Sequence, residues 1–196
     1  MNLQHGSTVS LPLMPALFGT SRASAGMLVV CAIALLTASA KIQIPLWPVP
    51  ITMQTYVVLV IAMSYGMRLG LAAVGSYIAL GALGLPVFAG TPEKGLGLAY
   101  LAGPTGGYVV GFGIAAGACA WLAARGWAGS VGRCLLAALL GHVLIIGCGA
   151  AWLALAIGLE RAIAAGVTPF LWGTALKTVL VGVTVTGGAK WADARR

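Results

Sequence analysis

Pro169-Phe-Leu-Trp-Gly-Thr-Ala-Leu-Lys-Thr-Val-Leu-Val-Gly-Val-Thr-Val-Thr-Gly-Gly-Ala189 is long and apolar, and it holds one formal charge, Lys177. A helix needs about 20 such residues to cross the hydrocarbon core of a bilayer. A lysine near the middle of a span costs roughly 2.5–3.5 kcal/mol on insertion scales. Lys177 lies about eight residues into the stretch, roughly 12 Å of helix from its start. The chain has 3 acidic residues, Glu93, Glu160 and Asp193. None of them falls in an apolar run. No carboxylate of this chain therefore meets Lys177 inside a membrane. Either an incoming anion supplies the partner, or the amine snorkels or finds backbone carbonyls. The first reading is preferred, because ionisable groups inside spans usually mark substrate paths.

Composition extends this reading to the whole chain. Of 196 residues, 60% are hydrophobic and 7% are charged, and the mean hydropathy is +1.02. A soluble domain carries roughly 25% charged residues to solvate its surface. A lipid-facing exterior removes that need. The net charge of +8 comes from basic residues scattered singly or in pairs between apolar runs. Nucleic-acid binding needs them clustered on one solvated face, so that class is set aside. Positive-inside topology and attraction to anionic membrane lipid account for them. Cys31, Cys119, Cys134 and Cys148 form no CxxC pair and read as small apolar residues.

Six apolar runs can be marked: 25–40, 52–67, 69–85, 106–124, 134–159 and 169–189. They predict an all-α fold, a polytopic membrane bundle of six transmembrane helices over residues 25–189. Residues 1–24 and 190–196 read as tails. The first stretch lacks the basic start and unbroken apolar core of a signal peptide. With six crossings, Arg22, Arg68, Arg125, Arg133, Lys190, Arg195 and Arg196 share one side. Lys41, Lys94 and Arg161 share the other. The positive-inside rule then places both termini in the cytoplasm of a cell (inner) membrane protein. The connections 41–51 and 86–105 face outward. The second is long, rich in Gly and Pro, and too apolar for disorder. It is expected to pack as a lid over the outer end of the bundle.

Candidate site residues cluster at that end. Thr52, Gln54 and Thr55 open the second run with donors and acceptors; Thr52 can also cap the helix. Gly103-Pro-Thr-Gly-Gly-Tyr108 opens the fourth run. Thr105 is an expected N-cap, and Gly106 and Gly107 allow close backbone approach. Gly107 and Gly111 make a GxxxG step, which packing alone would explain. Tyr108 adds a ring and hydroxyl at the mouth of a pocket. Ala34 and Ala38 form a small-xxx-small step on the first helix, suited to contact within the bundle or with a partner. His142 alone gives no metal site and reads as hydrogen-bonded inside the bundle. The GxxxxGK[ST] phosphate loop is absent. No nucleophile, base and acid set supports an enzyme, and nothing asks for a cofactor.

Together these residues resemble one family. Val49-Pro-Ile-Thr-Met-Gln54, Gly81-Ala-Leu-Gly-Leu-Pro-Val-Phe-Ala-Gly90 and Gly103-Pro-Thr-Gly-Gly-Tyr-Val-Val-Gly-Phe112 are similar to segments of the BioY family, in the family's order. The likeness covers residues 25–185. It implies a six-helix S component of an energy-coupling factor transporter that binds biotin from outside. Such a subunit works with a transmembrane T component and a pair of ATPases. It implies docking of the T component on Ala34 and Ala38. The family commonly has Asp-x-x-Lys on its last helix; here Lys177 matches, and Thr174 stands at the Asp position. Thr174 lies one turn from Lys177 on the same face. Val109 stands where some members have a basic residue. Biotin offers a carboxylate for Lys177, an apolar body for Phe88 and Tyr108, and a ureido group for Gln54, Thr52 and loop backbone. Another small anionic vitamin, or a carrier that works without ATPases, remains an alternative at this point.

Overall fold

A computed structural model of the chain describes residues 12–19 and 21–194. Nine α-helices fall among them. The long ones follow the apolar runs. They are α2 (Arg22–Lys41), α3 (Gln54–Tyr65), α4 (Met67–Ala82), α6 (Gly106–Ala124), α7 (Val131–Ile157) and α9 (Phe170–Asp193). The short ones are α1 (Leu13–Phe18), α5 (Gly97–Ala102) and α8 (Leu159–Gly166). A small antiparallel hairpin pairs β1 (Gln43–Ile44) with β2 (Ile51–Thr52).

Among the described residues four helices, α2, α6, α7 and α9, are long and apolar enough to cross a bilayer. The α3 and α4 helices have 12 and 16 residues. At 1.5 Å per residue they reach only ~18 and ~24 Å. They meet at Gly66, which serves as the last cap of one and the first cap of the other. Its φ of 79° lies in the left-handed region, which glycine enters without steric cost.

The core forms where α3, α6, α7 and α9 pack, with α4 and α2 added on the flank. Small residues set the α6–α7 spacing. A Cβ on Gly107 would overlap Trp152 Cβ and sit 2.6 Å from Cys148 O; one on Gly111 would sit 2.9 Å from Ile145 Cα. The GxxxG step is therefore used for packing within the chain. The Cys119 Sγ donates to Ala137 O across the same seam at 3.2 Å. All four cysteines are free.

The outer surface of the bundle is apolar. Val30, Leu155 and Trp172 are 67%, 86% and 88% exposed. Large bare side chains of this kind along the spans suit lipid and not water. The two ends also differ. Pro12 lies against Gly66 and Leu13 against Gly188, which puts α1, the α3–α4 turn and the late part of α9 at one end. Arg22, Arg68, Arg125, Arg133 and Lys190 lie at or beside the helix termini of that end. Lys41, Lys94 and Arg161 belong to the opposite end, with the hairpin, α5 and α8.

Several boundaries differ from the sequence reading. The first long helix starts at Arg22, inside the expected tail, because Ser21 caps it by accepting from Ser24 N. Its last residue, Lys41, is charged, so an apolar run could not include it. Within the remainder of that tail, α1 packs on α3 and α9. The last helix continues to Asp193, past the expected boundary at 189. Arg195, Arg196 and residues 1–11 lie outside the described residues.

Candidate functional site

A cavity opens at the end of the bundle that carries the hairpin and α5. Its walls come from the N-terminal halves of α3, α6 and α9, the middle of α7, and the two connections that hold the hairpin and α5. The space between them, counted out to the mouth, is ≈ 520 Å³, within the range of small-ligand pockets, about 300–1,000 Å³.

Lys177 is the one charged residue in the lining, and it is 4% exposed. Its Nζ donates to Thr52 O at 3.1 Å, so the alternative of carbonyl pairing is realised in this state. An ammonium has three donors, and this is the single bond it makes among the described residues. Thr174 lies one turn earlier on the same wall. Gln54 is buried at the start of α3. Its Nε2 donates to the Tyr77 hydroxyl at 2.6 Å. Tyr77 in turn donates to Val87 O at 2.9 Å, which ties the site to the 86–95 connection. The Thr52 hydroxyl accepts from Gln54 N at 3.3 Å.

The 86–105 stretch does close over this end. Phe88 stacks on Tyr100 with ring centroids 4.8 Å apart and meets Tyr77 edge-on at 5.4 Å. The Tyr100 hydroxyl donates to Ala89 O at 2.9 Å. Burial pushes the Tyr100 phenol above its ordinary range, which keeps it a neutral donor. Lys41 Nζ reaches across from α2 to Phe88 O, Thr91 O and Thr91 Oγ1 at 3.0–3.2 Å.

The expected residues divide into two groups. Lys177, Thr174, Gln54, Thr52, Thr105 and Tyr108 all line the cavity. Phe88, Gly106 and Gly107 do not. Phe88 sits one layer behind, where a Cβ on Gly81 would overlap its ring; its neighbour Ala89 forms the wall. Gly106 lies against Leu101 O and Gly107 against α7. Thr105 occupies the N-cap position of α6, yet its side chain makes no capping bond. Its backbone geometry is α-helical, φ −87° and ψ −10°, whereas a capping residue is typically extended. The Tyr108 hydroxyl donates to Gly166 O at 2.7 Å and its ring stacks on Phe170. Tyr108 therefore closes the wall against α8.

The sequence reading left out several lining residues: Tyr100, Phe112, Ile145 and Phe170. Their types signal only core packing. His142 was read as a bundle residue; it also faces the cavity. Ala34 and Ala38 do not line it and are exposed on the outer face of α2. Among the described residues no group of three or more metal-ligand side chains forms.

Comparison with known proteins settles the family. A family model described as the BioY family matches residues 13–194. This chain belongs to the BioY family. The match runs from α1 to α9, so it takes in every element that walls the cavity. A probable biotin transporter BioY from Pyrococcus horikoshii is 38% identical over 144 residues, 74% of this chain and 83% of that protein. The biotin transporter BioY of Thermotoga maritima is 38% identical over 148 residues, 75% and 85% of the two chains. The fold is also similar to a crystal structure of the S-component for biotin from an ECF-type ABC transporter. The TM-score is 0.76 at 26% identity, covering 86% of this chain and 92% of that one.

Proposed function

We propose that this chain is the substrate-capture subunit for biotin uptake, an S component of an energy-coupling factor transporter. It lies in the cell (inner) membrane with six crossings and both termini in the cytoplasm. The short α3 and α4 helices make their crossings together with the hairpin and the residues flanking them. Biotin enters the cavity from the outer end. Energy comes from ATPase subunits through a T component that docks on α2 at Ala34 and Ala38.

One observation carries the reading best: a mostly apolar cavity under a folded connection, with one formally charged side chain, Lys177, in its wall and no acid there to neutralise it. Biotin has one carboxylate on an apolar body. The carboxylate takes the donors of Lys177 that Thr52 O leaves free, and Thr174 adds a hydroxyl one turn away. Gln54, Thr52, Thr105 and Tyr108 line the remaining contact surface. Phe88, Gly106 and Gly107 support that surface from behind.

The test is biotin binding by purified protein, wild type against Lys177→Ala. A charged hydrogen bond contributes ~1.5–3 kcal/mol, so the variant should bind about 10- to 150-fold more weakly. Biotin methyl ester, which lacks the negative charge, should lose little further on the variant. Unchanged affinity in Lys177→Ala would remove Lys177 from the site.

A further inference from the structure

Two polar atoms in the cavity wall have no partner among the described residues. They are His142 Nε2 on α7 and Thr55 Oγ1 on α3, and both are buried. His142 is 0% exposed. Native proteins rarely leave such atoms unmatched, and each one asks for an explanation.

The other side of the imidazole fixes what Nε2 offers. His142 Nδ1 lies 3.0 Å from Ala138 O and 3.1 Å from Thr178 Oγ1. A carbonyl oxygen only accepts, so the contact with Ala138 O assigns the hydrogen to Nδ1, with Thr178 Oγ1 as a second neighbour. In the neutral ring Nε2 is then a bare acceptor. Thr55 Oγ1 carries a hydroxyl hydrogen and can donate. The wall thus presents an acceptor on one helix and a donor on another.

The two ends of the cavity differ in depth. Lys177 Nζ is drawn toward Thr52, just before α3 begins. His142 is held at Thr178, one residue further along α9, and its own helix continues for 15 residues beyond it to Ile157. The cation therefore lies toward the mouth and the imidazole toward the floor.

We propose that His142 on the floor, with Thr55 on the α3 wall above it, forms the subsite for the cyclic urea of the ligand. Nε2 accepts from one urea N–H, and the Thr55 hydroxyl donates to the urea carbonyl. The ligand lies with its ring end inward and its carboxylate outward at Lys177. The inference rests on the biotin reading above and adds the pose and the two residues that read the ring.

The experiment measures binding to the purified full-length chain. The probes are biotin, biotin methylated on a urea nitrogen, and biotin methyl ester. The variants are His142→Leu, Thr55→Val and Thr55→Ser. Thr55→Val keeps the side-chain shape, and thermal melting checks the fold of each variant. Each of the first two variants should weaken biotin about 5- to 100-fold, and Thr55→Ser should restore most of the affinity. Urea methylation should weaken wild type but add little to the loss in His142→Leu. The ester's loss should instead add in full, because it acts at the other end. A wild type that binds biotin alongside His142→Leu and Thr55→Val variants within twofold overturns the subsite alone. Full additivity with the urea-methylated ligand and none with the ester overturns the pose. A wild type that does not bind biotin overturns the functional reading and the subsite with it.

Discussion

Tyr77→Phe removes one oxygen atom and leaves the ring in place. That oxygen accepts from Gln54 Nε2 at 2.6 Å and donates to Val87 O at 2.9 Å. Both partners are buried, and Tyr77 itself is fully enclosed. Phenylalanine fills the same space, so no cavity term enters. The Gln54 amide loses the one acceptor it has among the described residues, and Val87 O loses its donor. Leaving a buried polar group unmatched costs about 1–3 kcal/mol. Two such groups, partly relieved by small shifts, give a destabilisation of about 2–4 kcal/mol. On the scale of soluble domains of similar length this lowers Tm by roughly 5–15 °C. The assay is thermal unfolding of the purified chain in a fixed detergent, paired with ligand binding. Binding should weaken as well, because Gln54 and the 86–95 connection lose their common anchor. A Tm within 1 °C of wild type and unchanged affinity would show that the bridge holds neither.

Glycines give an internal control. Gly107→Ala should destabilise by ~1–3 kcal/mol through overlap with Trp152 and Cys148 O, whereas Gly113→Ala, whose Cβ meets nothing within 4 Å, should be neutral or mildly stabilising; equal melting of the two variants would refute the packing account. Lys41→Met should speed ligand release several-fold with little change in fold, since three hydrogen bonds to the 86–95 connection are lost; stopped-flow displacement reads this, and an unchanged off-rate refutes it. Ala34→Trp and Ala38→Trp should leave biotin binding by the isolated chain intact, because both sites are exposed and away from the cavity, yet abolish uptake in cells that supply the partner subunits. Wild-type uptake in both would remove α2 from the docking surface.

Much of the architecture was legible because a bilayer imposes a simple code. The run at 106–124 and the α6 helix share both bounds. Charged helix ends such as Lys41 and Lys190 were missed, since a hydropathy window stops at the first charge. The α1, α5 and α8 helices, six to eight residues each, are too short for periodicity to show. The polar part of the site was legible for the opposite reason. Lys177, Gln54 and Thr52 stand out in runs that are otherwise mostly apolar. Phe112, Ile145 and Phe170 line the cavity with side chains that equally suit a core. Phe88 erred in the other direction, because a loop aromatic gives no sign of which layer it fills. His142 carried a usable signal, a lone imidazole in an apolar helix. Only the packed helices reveal that one of its nitrogens is spent on Ala138 and Thr178 while the other faces inward.

Lys41 ends the helix whose outer face carries Ala34 and Ala38, and its amine is anchored to the stretch that roofs the cavity. The grip is on two backbone carbonyls and a hydroxyl. A tilt of α2 therefore has two outcomes: the roof travels with it, or the three bonds break and the roof is released. In either case a push delivered at the exposed alanines would reach the entrance along the same helix. The chain needs no relay of side chains through its core to link the two.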